Sequence, residues 1–142
     1  MQPTGYSHRP LAAKLGLAPG MRALLLDAPP GYLATLGEVA AQVELCAPPA
    51  SDLDFIQVFA TDHTALVALL PQLVAALTQR GALWVCWPKR AAKPAEQLSG
   101  DLRESLVREA GLAAGLVDVK VAAIDPVWSG LKFVFRLRDR TT

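Results

Sequence analysis

The amino-acid sequence predicts an α/β protein: a mostly parallel sheet of about six strands, doubly wound between two helical layers and ending in an antiparallel hairpin. Three observations carry this expectation. Short continuous apolar runs at residues 21–26, 54–60 and 82–87 are bounded by Asp, Pro and Gly, the pattern of strands buried on both faces. Segments with apolar residues at three- and four-residue steps separate them, as parallel neighbours require. Near the end, Val117, Val119, Val121 and Ala123, then Leu131, Phe133, Phe135 and Leu137, alternate with other side chains. Only Asp125, Pro126, Val127, Trp128, Ser129 and Gly130 lie between these two runs, too few for a crossover, so this pair is antiparallel.

In chain order, residues 10–17 form about two turns of lead-in helix, with Leu11, Ala12 and Leu15 on one side and Lys14 on the other, stopped by Gly16, Pro19 and Gly20. The first strand, residues 21–26, is halted by Asp27, Ala28, Pro29, Pro30 and Gly31. A short helix runs from Tyr32 to about Ala40, then a short strand over residues 42–46 meets the breaker Ala47, Pro48 and Pro49. After the strand at 54–60, Thr61 or Asp62 caps a helix that extends to Gly81; Pro71 inside it removes an amide donor, which predicts a kink or two helices end to end. The strand at 82–87 stops at Pro88. Ser99 or Asp101 opens the last helix, which buries Leu102, Leu106, Val107 and Ala110 and stops at Gly115. Arg136, Arg138 and Arg140 alternate on an exposed strand face and tail, where charge guards an edge.

With 142 residues, 52% hydrophobic and 19% charged, the chain is read as one domain over 1–142, of which 1–20 are tail and lead-in helix. Fourteen Lys and Arg against thirteen Asp and Glu give a net charge of +1, which disfavours a nucleic-acid or anionic-membrane partner held by a global field. No run approaches the roughly 18 to 20 apolar residues of a membrane span, and the start lacks a basic-then-apolar leader pattern, so a cytoplasmic location is expected. Cys46 and Cys86 sit in apolar runs and read as buried thiols. Neither has Cys or His at zinc-like spacing, and a disulfide is not expected in a reducing cytoplasm.

A mostly parallel sheet that finishes in a hairpin resembles the Rossmann-like S-adenosylmethionine-dependent methyltransferases, with one helix–strand unit missing between Cys46 and Asp54. At residue level, Gly5-Tyr6-Ser7, Pro10-Leu11 with Lys14-Leu15-Gly16, Pro19-Gly20-Met21-Arg22, Ala28-Pro29 with Gly31-Tyr32-Leu33, Leu83-Trp84-Val85 with Trp87-Pro88-Lys89, Gly115-Leu116-Val117-Asp118-Val119-Lys120-Val121 and Val127-Trp128-Ser129-Gly130-Leu131-Lys132 spread over almost the whole chain. On these motifs the chain is also similar to an uncharacterised bacterial family, domain of unknown function 3052. This second likeness implies a fold and no activity.

In such a sheet ligands sit outside the carboxyl ends of the strands. The loops at 27–32, 61–63, 87–93 and 125–130 converge there, which makes Asp27, Tyr32, Lys89, Asp125, Trp128 and Lys132 the candidate ligand contacts. The methyltransferase resemblance implies a glycine-rich loop after the first strand and an acidic ribose ligand after the second. This chain departs at both places. Pro29 and Pro30 lack amide donors, and Ala47, Pro48 and Pro49 stand where the acid belongs, with Glu44 inside the strand. S-adenosylmethionine is therefore disfavoured and no cofactor or metal is expected. His63, beside Asp62, reads as a residue of a helix start rather than part of a triad, and His8 lies in the tail. Lys89, Arg90 and Lys93, with Trp87 and Trp128 for stacking, suit an anionic small molecule such as a nucleotide or phosphorylated metabolite. The expected function is a non-catalytic binding or interaction module. The alternative is a small-molecule binder or enzyme using the same cleft, a divergent methyltransferase included.

Overall fold

The structure, a computed structural model, describes residues 10–90 and 100–140. Helix α1 (Leu11–Leu15) ends on Gly16, whose left-handed φ of 80° a side chain would resist. Strand β1 (Arg22–Leu26) leads to α2 (Tyr32–Leu36), which tightens into a 3₁₀ turn at Gly37–Ala41, so the α-helix expected to reach Ala40 is shorter. Strand β2 (Glu44–Leu45) is two residues where five were expected. There follow β3 (Leu53–Phe59), α3 (His63–Ala76), β4 (Leu77–Pro88), α4 (Glu104–Ala113), β5 (Leu116–Ala123), β6 (Trp128–Phe135) and a 3₁₀ turn at Leu137–Asp139.

The six strands lie in the order β2-β1-β3-β4-β6-β5. β2, β1, β3 and β4 are parallel, and β6 joins antiparallel between β4 and β5. This is the predicted mixed, three-layer α/β architecture. Side chains alternate between two buried layers. Ile56, Val58, Val85 and Phe133 pack under α3 and α4, whereas Phe55, Phe59, Trp84 and Cys86 pack under α1 and α2. Each fully buried large apolar side chain contributes roughly 1.5–3 kcal/mol through this burial. Two long-range hydrogen bonds fix α1 by its otherwise orphaned carbonyls: Trp84 Nε1 donates to Leu15 O at 2.8 Å, and Lys120 Nζ donates to Lys14 O at 2.7 Å.

Several expectations are corrected. α3 runs as one helix through Pro71. Pro71 is exposed, and so is Val67, at 45%, whose carbonyl loses its helical donor and can meet water instead. The helix ends before Gly81 because Leu77 pairs with Leu53, after which the register slips until Ala82 meets Phe55. Gly81 sits in that irregularity, where a Cβ would press to 2.9 Å from the Leu53 carbonyl oxygen. Asp101 does not start α4, which begins at Glu104, and Ser99 lies outside the described residues. The strand thought to carry Arg136 and Arg138 ends at Phe135 and is interior; the sheet edges are β2 and β5. β5 is protected as an edge by an irregularity between Asp118 and Lys120 and by the Lys120 charge. Among the described residues no helix is long and apolar enough to cross a membrane.

Candidate functional site

β1 has β2 on one side and β3 on the other, so the chain order reverses at β1, and the crevice outside the carboxyl ends of β1 and β3 is the place where such sheets hold ligands. After β1, Asp27 is exposed with φ 57°, and the Tyr32 amide is taken by Pro29 O at 3.1 Å. With Pro29 and Pro30 lacking N–H groups, this loop has few amides left for a ligand. The β2 side is low as well. Arg22 and Ala23 pair with Glu44 and Leu45, so β2 stops three residues short of Leu26, about 10 Å at strand rise. The Glu44 carboxylate forms an ion pair with Arg22 at the opposite, amino end of β1.

On the α2 side three aromatic side chains pack together. Tyr32, Phe59 and Trp128 stack edge to face, with centroids 4.9 Å apart for Tyr32–Phe59 and 5.1 Å for Phe59–Trp128, and all three are buried. Beneath them the Tyr32 hydroxyl donates to Gln57 Oε1 at 3.0 Å, and Gln57 Nε2 donates to Cys86 Sγ at 3.4 Å. Gln57 is the one polar side chain fully buried among the described residues. Burial pushes the Cys86 thiol up to about 12 and the Tyr32 phenol well above its ordinary range, so neither ionises near neutral pH. The Asp125 charge adds to both shifts. Its Oδ1 accepts the amides of Val127 and Trp128, each at 2.7 Å, and thereby holds the hairpin turn.

On the α3 side a cleft of about 170 Å³ remains, lined by Asp27, Phe59, Thr61, Asp62 and Leu66 among others. This is below the roughly 300–1,000 Å³ of ordinary small-molecule sites. The α3 N-terminus beside it is served internally: Asp62 Oδ2 accepts the Ala65 amide at 2.7 Å and Asp101 Oδ1 accepts the His63 amide at 2.8 Å. An anion there would face two carboxylates and compete for the amides they hold.

Of the six candidate contacts, Asp27, Tyr32, Lys89, Asp125 and Trp128 lie at the carboxyl end of the sheet. The Lys89 amide donates to Val127 O at 2.7 Å, which ties it to the hairpin turn. Lys132 does not join them. It pairs with Trp84, four residues along β6 from Trp128, and its Nζ lies 3.4 Å from where a Cβ on Gly16 would stand. Burial and the Lys120 charge opposite it lower its pKa. Lys93 and His8 fall outside the described residues, and His63 is the first residue of α3. Cys46 is only half-buried, contrary to expectation. Among the described residues no cluster of three or more His, Cys, Asp or Glu could hold a metal. Sequence reasoning missed Gln57, Phe59 and Asp101. A lone polar residue in the run Phe55-Ile56-Gln57-Val58-Phe59 was the available signal for the first, because a polar group in a doubly buried strand must find a partner.

No family model matches the chain, and neither does any curated protein. Solved structures do. A methyltransferase from Aquifex aeolicus described as dependent on S-adenosylmethionine superposes with TM-score 0.65 at 16% identity, over 87% of this chain and 86% of that one. A TehB-like S-adenosylmethionine-dependent methyltransferase from Corynebacterium glutamicum gives 0.53 at 11% identity, over 93% and 90%. A family 2 O-methyltransferase from Planctomyces limnophilus, in complex with apigenin, gives 0.61 at 14% identity, over 82% of this chain and 50% of that one. The fold is therefore of the methyltransferase type, and identities this low carry the likeness no further than the fold.

Proposed function

We propose that this chain is a non-catalytic binding module, a methyltransferase-type sheet whose cofactor crevice is closed by its own side chains. The observation that carries this reading is the buried Tyr32–Phe59–Trp128 stack, anchored through Gln57, in the α2 half of the crevice. The small α3-side cleft, the Pro29-Pro30 loop and the short β2 support it. In this reading the module works in the cytoplasm without a cofactor and is a distant relative of the family of unknown function 3052, a kinship that rests on the sequence motifs alone. Its small-molecule contacts are on the hairpin side, at Lys89 and Asp125, with Asp27 across the crevice and Tyr32 and Trp128 as an aromatic floor.

Calorimetry with S-adenosylmethionine tests the proposal. No saturable heat up to millimolar cofactor is expected. Saturable binding at micromolar concentration overturns it in favour of a divergent methyltransferase. For the ligand, a thermal-shift panel of nucleotides and phosphorylated metabolites should yield a stabilising compound whose effect is lost in Lys89→Ala; a flat panel removes the anionic-ligand part of the reading.

A further inference from the structure

A second space lies on the other side of Leu69, which also borders the α3-side cleft. Between β2 and β3 the chain has only a short loop, so among the described residues that connection places no helix over the outer part of β1 on the α3 face. What remains there is a pocket of about 140 Å³. It is lined by Leu24 of β1 and Leu73 of α3, both buried, and by the half-buried Leu26 and Leu69. Ala50 and Ala76 also line it, each with a single methyl group. Pro48 and Gln72, both exposed, frame the mouth, and the Gln72 amide is the one polar side chain in the lining.

Size and chemistry narrow the occupant. A closed apolar cavity of about 150 Å³ takes up benzene; this pocket has a similar volume and a similarly aliphatic lining, with one open side at Pro48 and Gln72. A nucleotide does not fit such a volume, and a charged group would be desolvated against leucines without a counter-charge. We infer that this pocket is a binding site for a single six-membered aromatic ring, with one polar substituent such as a phenol hydroxyl directed to Gln72 at the mouth. The site is independent of the crevice and of whether S-adenosylmethionine binds there.

The test is a titration of the full chain with benzene and with phenol, followed through leucine and alanine methyl resonances. Saturable shifts are expected, largest at Leu24, Leu26, Leu69 and Leu73 and small at Leu15 and Leu17 on the opposite face. Ala76→Leu should weaken both probes at least tenfold, and Gln72→Leu should weaken phenol while sparing benzene. Ala50→Val gives the same reading as Ala76→Leu if the latter does not fold. The proposal is overturned if neither probe saturates, if the shifts scatter over the surface or centre on Tyr32 and Trp128, or if a folded filling variant binds as tightly as the parent. A phenol affinity unchanged in Gln72→Leu overturns the role of the mouth. Calorimetry with S-adenosylmethionine has a separate readout, so the crevice reading and the pocket can fail independently.

Discussion

The Tyr32 hydroxyl and Gln57 Oε1 meet at 3.0 Å inside the α2-side layer, joining the first residue of α2 to the middle of β3. Tyr32→Phe removes the donor and leaves a buried amide oxygen without its partner. The expected cost is about 1–3 kcal/mol, read as a lower urea midpoint at unchanged slope. Tyr32→Phe with Gln57→Leu should cost less than the sum of the two single changes, since the orphaned groups disappear together. Strict additivity would mean that the bond contributes nothing.

Alkaline pH should destabilise the fold. Cys86 rises from an ordinary value of 9.0 to about 12 on folding, and Tyr32 rises above its ordinary 10.0. Above pH 9 the unfolded chain loses protons that the native state keeps, so ΔG of unfolding falls as pH increases. The slope is about 1.4 kcal/mol per pH unit for each group while it is ionised only when unfolded. Stability from Cys86 is complete below pH 9 and lost by about pH 12. Denaturant melts between pH 8 and 11 check the slope, and Cys86→Ala should reduce it.

The two thiols should separate kinetically. Native protein at pH 8 should titrate one thiol with a disulfide reagent, the half-buried Cys46, and expose Cys86 only in denaturant. Cys46→Ser then leaves a native protein that does not react.

Asp62→Ala and Asp101→Ala should each lower stability by about 0.5–2 kcal/mol, because each carboxylate accepts a different amide at the start of α3. Asn should restore part of the loss at either position. Amide exchange localises the effect: the first turn of α3 should lose protection in both variants.

Gly111→Ala should destabilise despite alanine's advantage of about 1 kcal/mol in a helix interior. A Cβ there would collide with the fully buried Phe133 ring, and overpacking of this kind costs typically 1–3 kcal/mol or more. Phe133→Leu in the same chain should recover part of that cost; thermal unfolding of the four proteins measures it.

The sheet was legible where the physics is local. The doubly buried runs gave β1, β3 and β4, and alternation around a short connection gave β5 and β6; in β6 the apolar positions Leu131 and Phe133 are buried as the pattern implies, whereas in β5 Val119 and Val121 are exposed, so the strand was found but its buried face was not. The site was less legible. Lys132 falls near Trp128 in sequence, yet four residues along a strand carry it to Gly16, and no local pattern reports that distance. Asp101 sits just before one helix and serves the start of another 38 residues earlier, a partnership that exists only once α3 and α4 are packed side by side. Pro71 misled for the opposite reason. A proline's cost depends on whether the carbonyl it orphans meets water, and exposure is a tertiary property.

The anchoring of α1 has a consequence for the order of assembly. Its carbonyls are held by Trp84, 69 residues downstream of Leu15, and by Lys120, 106 residues downstream of Lys14. On the ribosome α1 cannot make these two bonds until the strands carrying Trp84 and Lys120 have emerged. At five residues it is far too short to persist alone. The expected order is that these two bonds close after β4 and β5 are in place, as a latch thrown on a formed sheet. Truncations that end before Lys120 should therefore leave residues 11–15 as unprotected against amide exchange as an unfolded peptide.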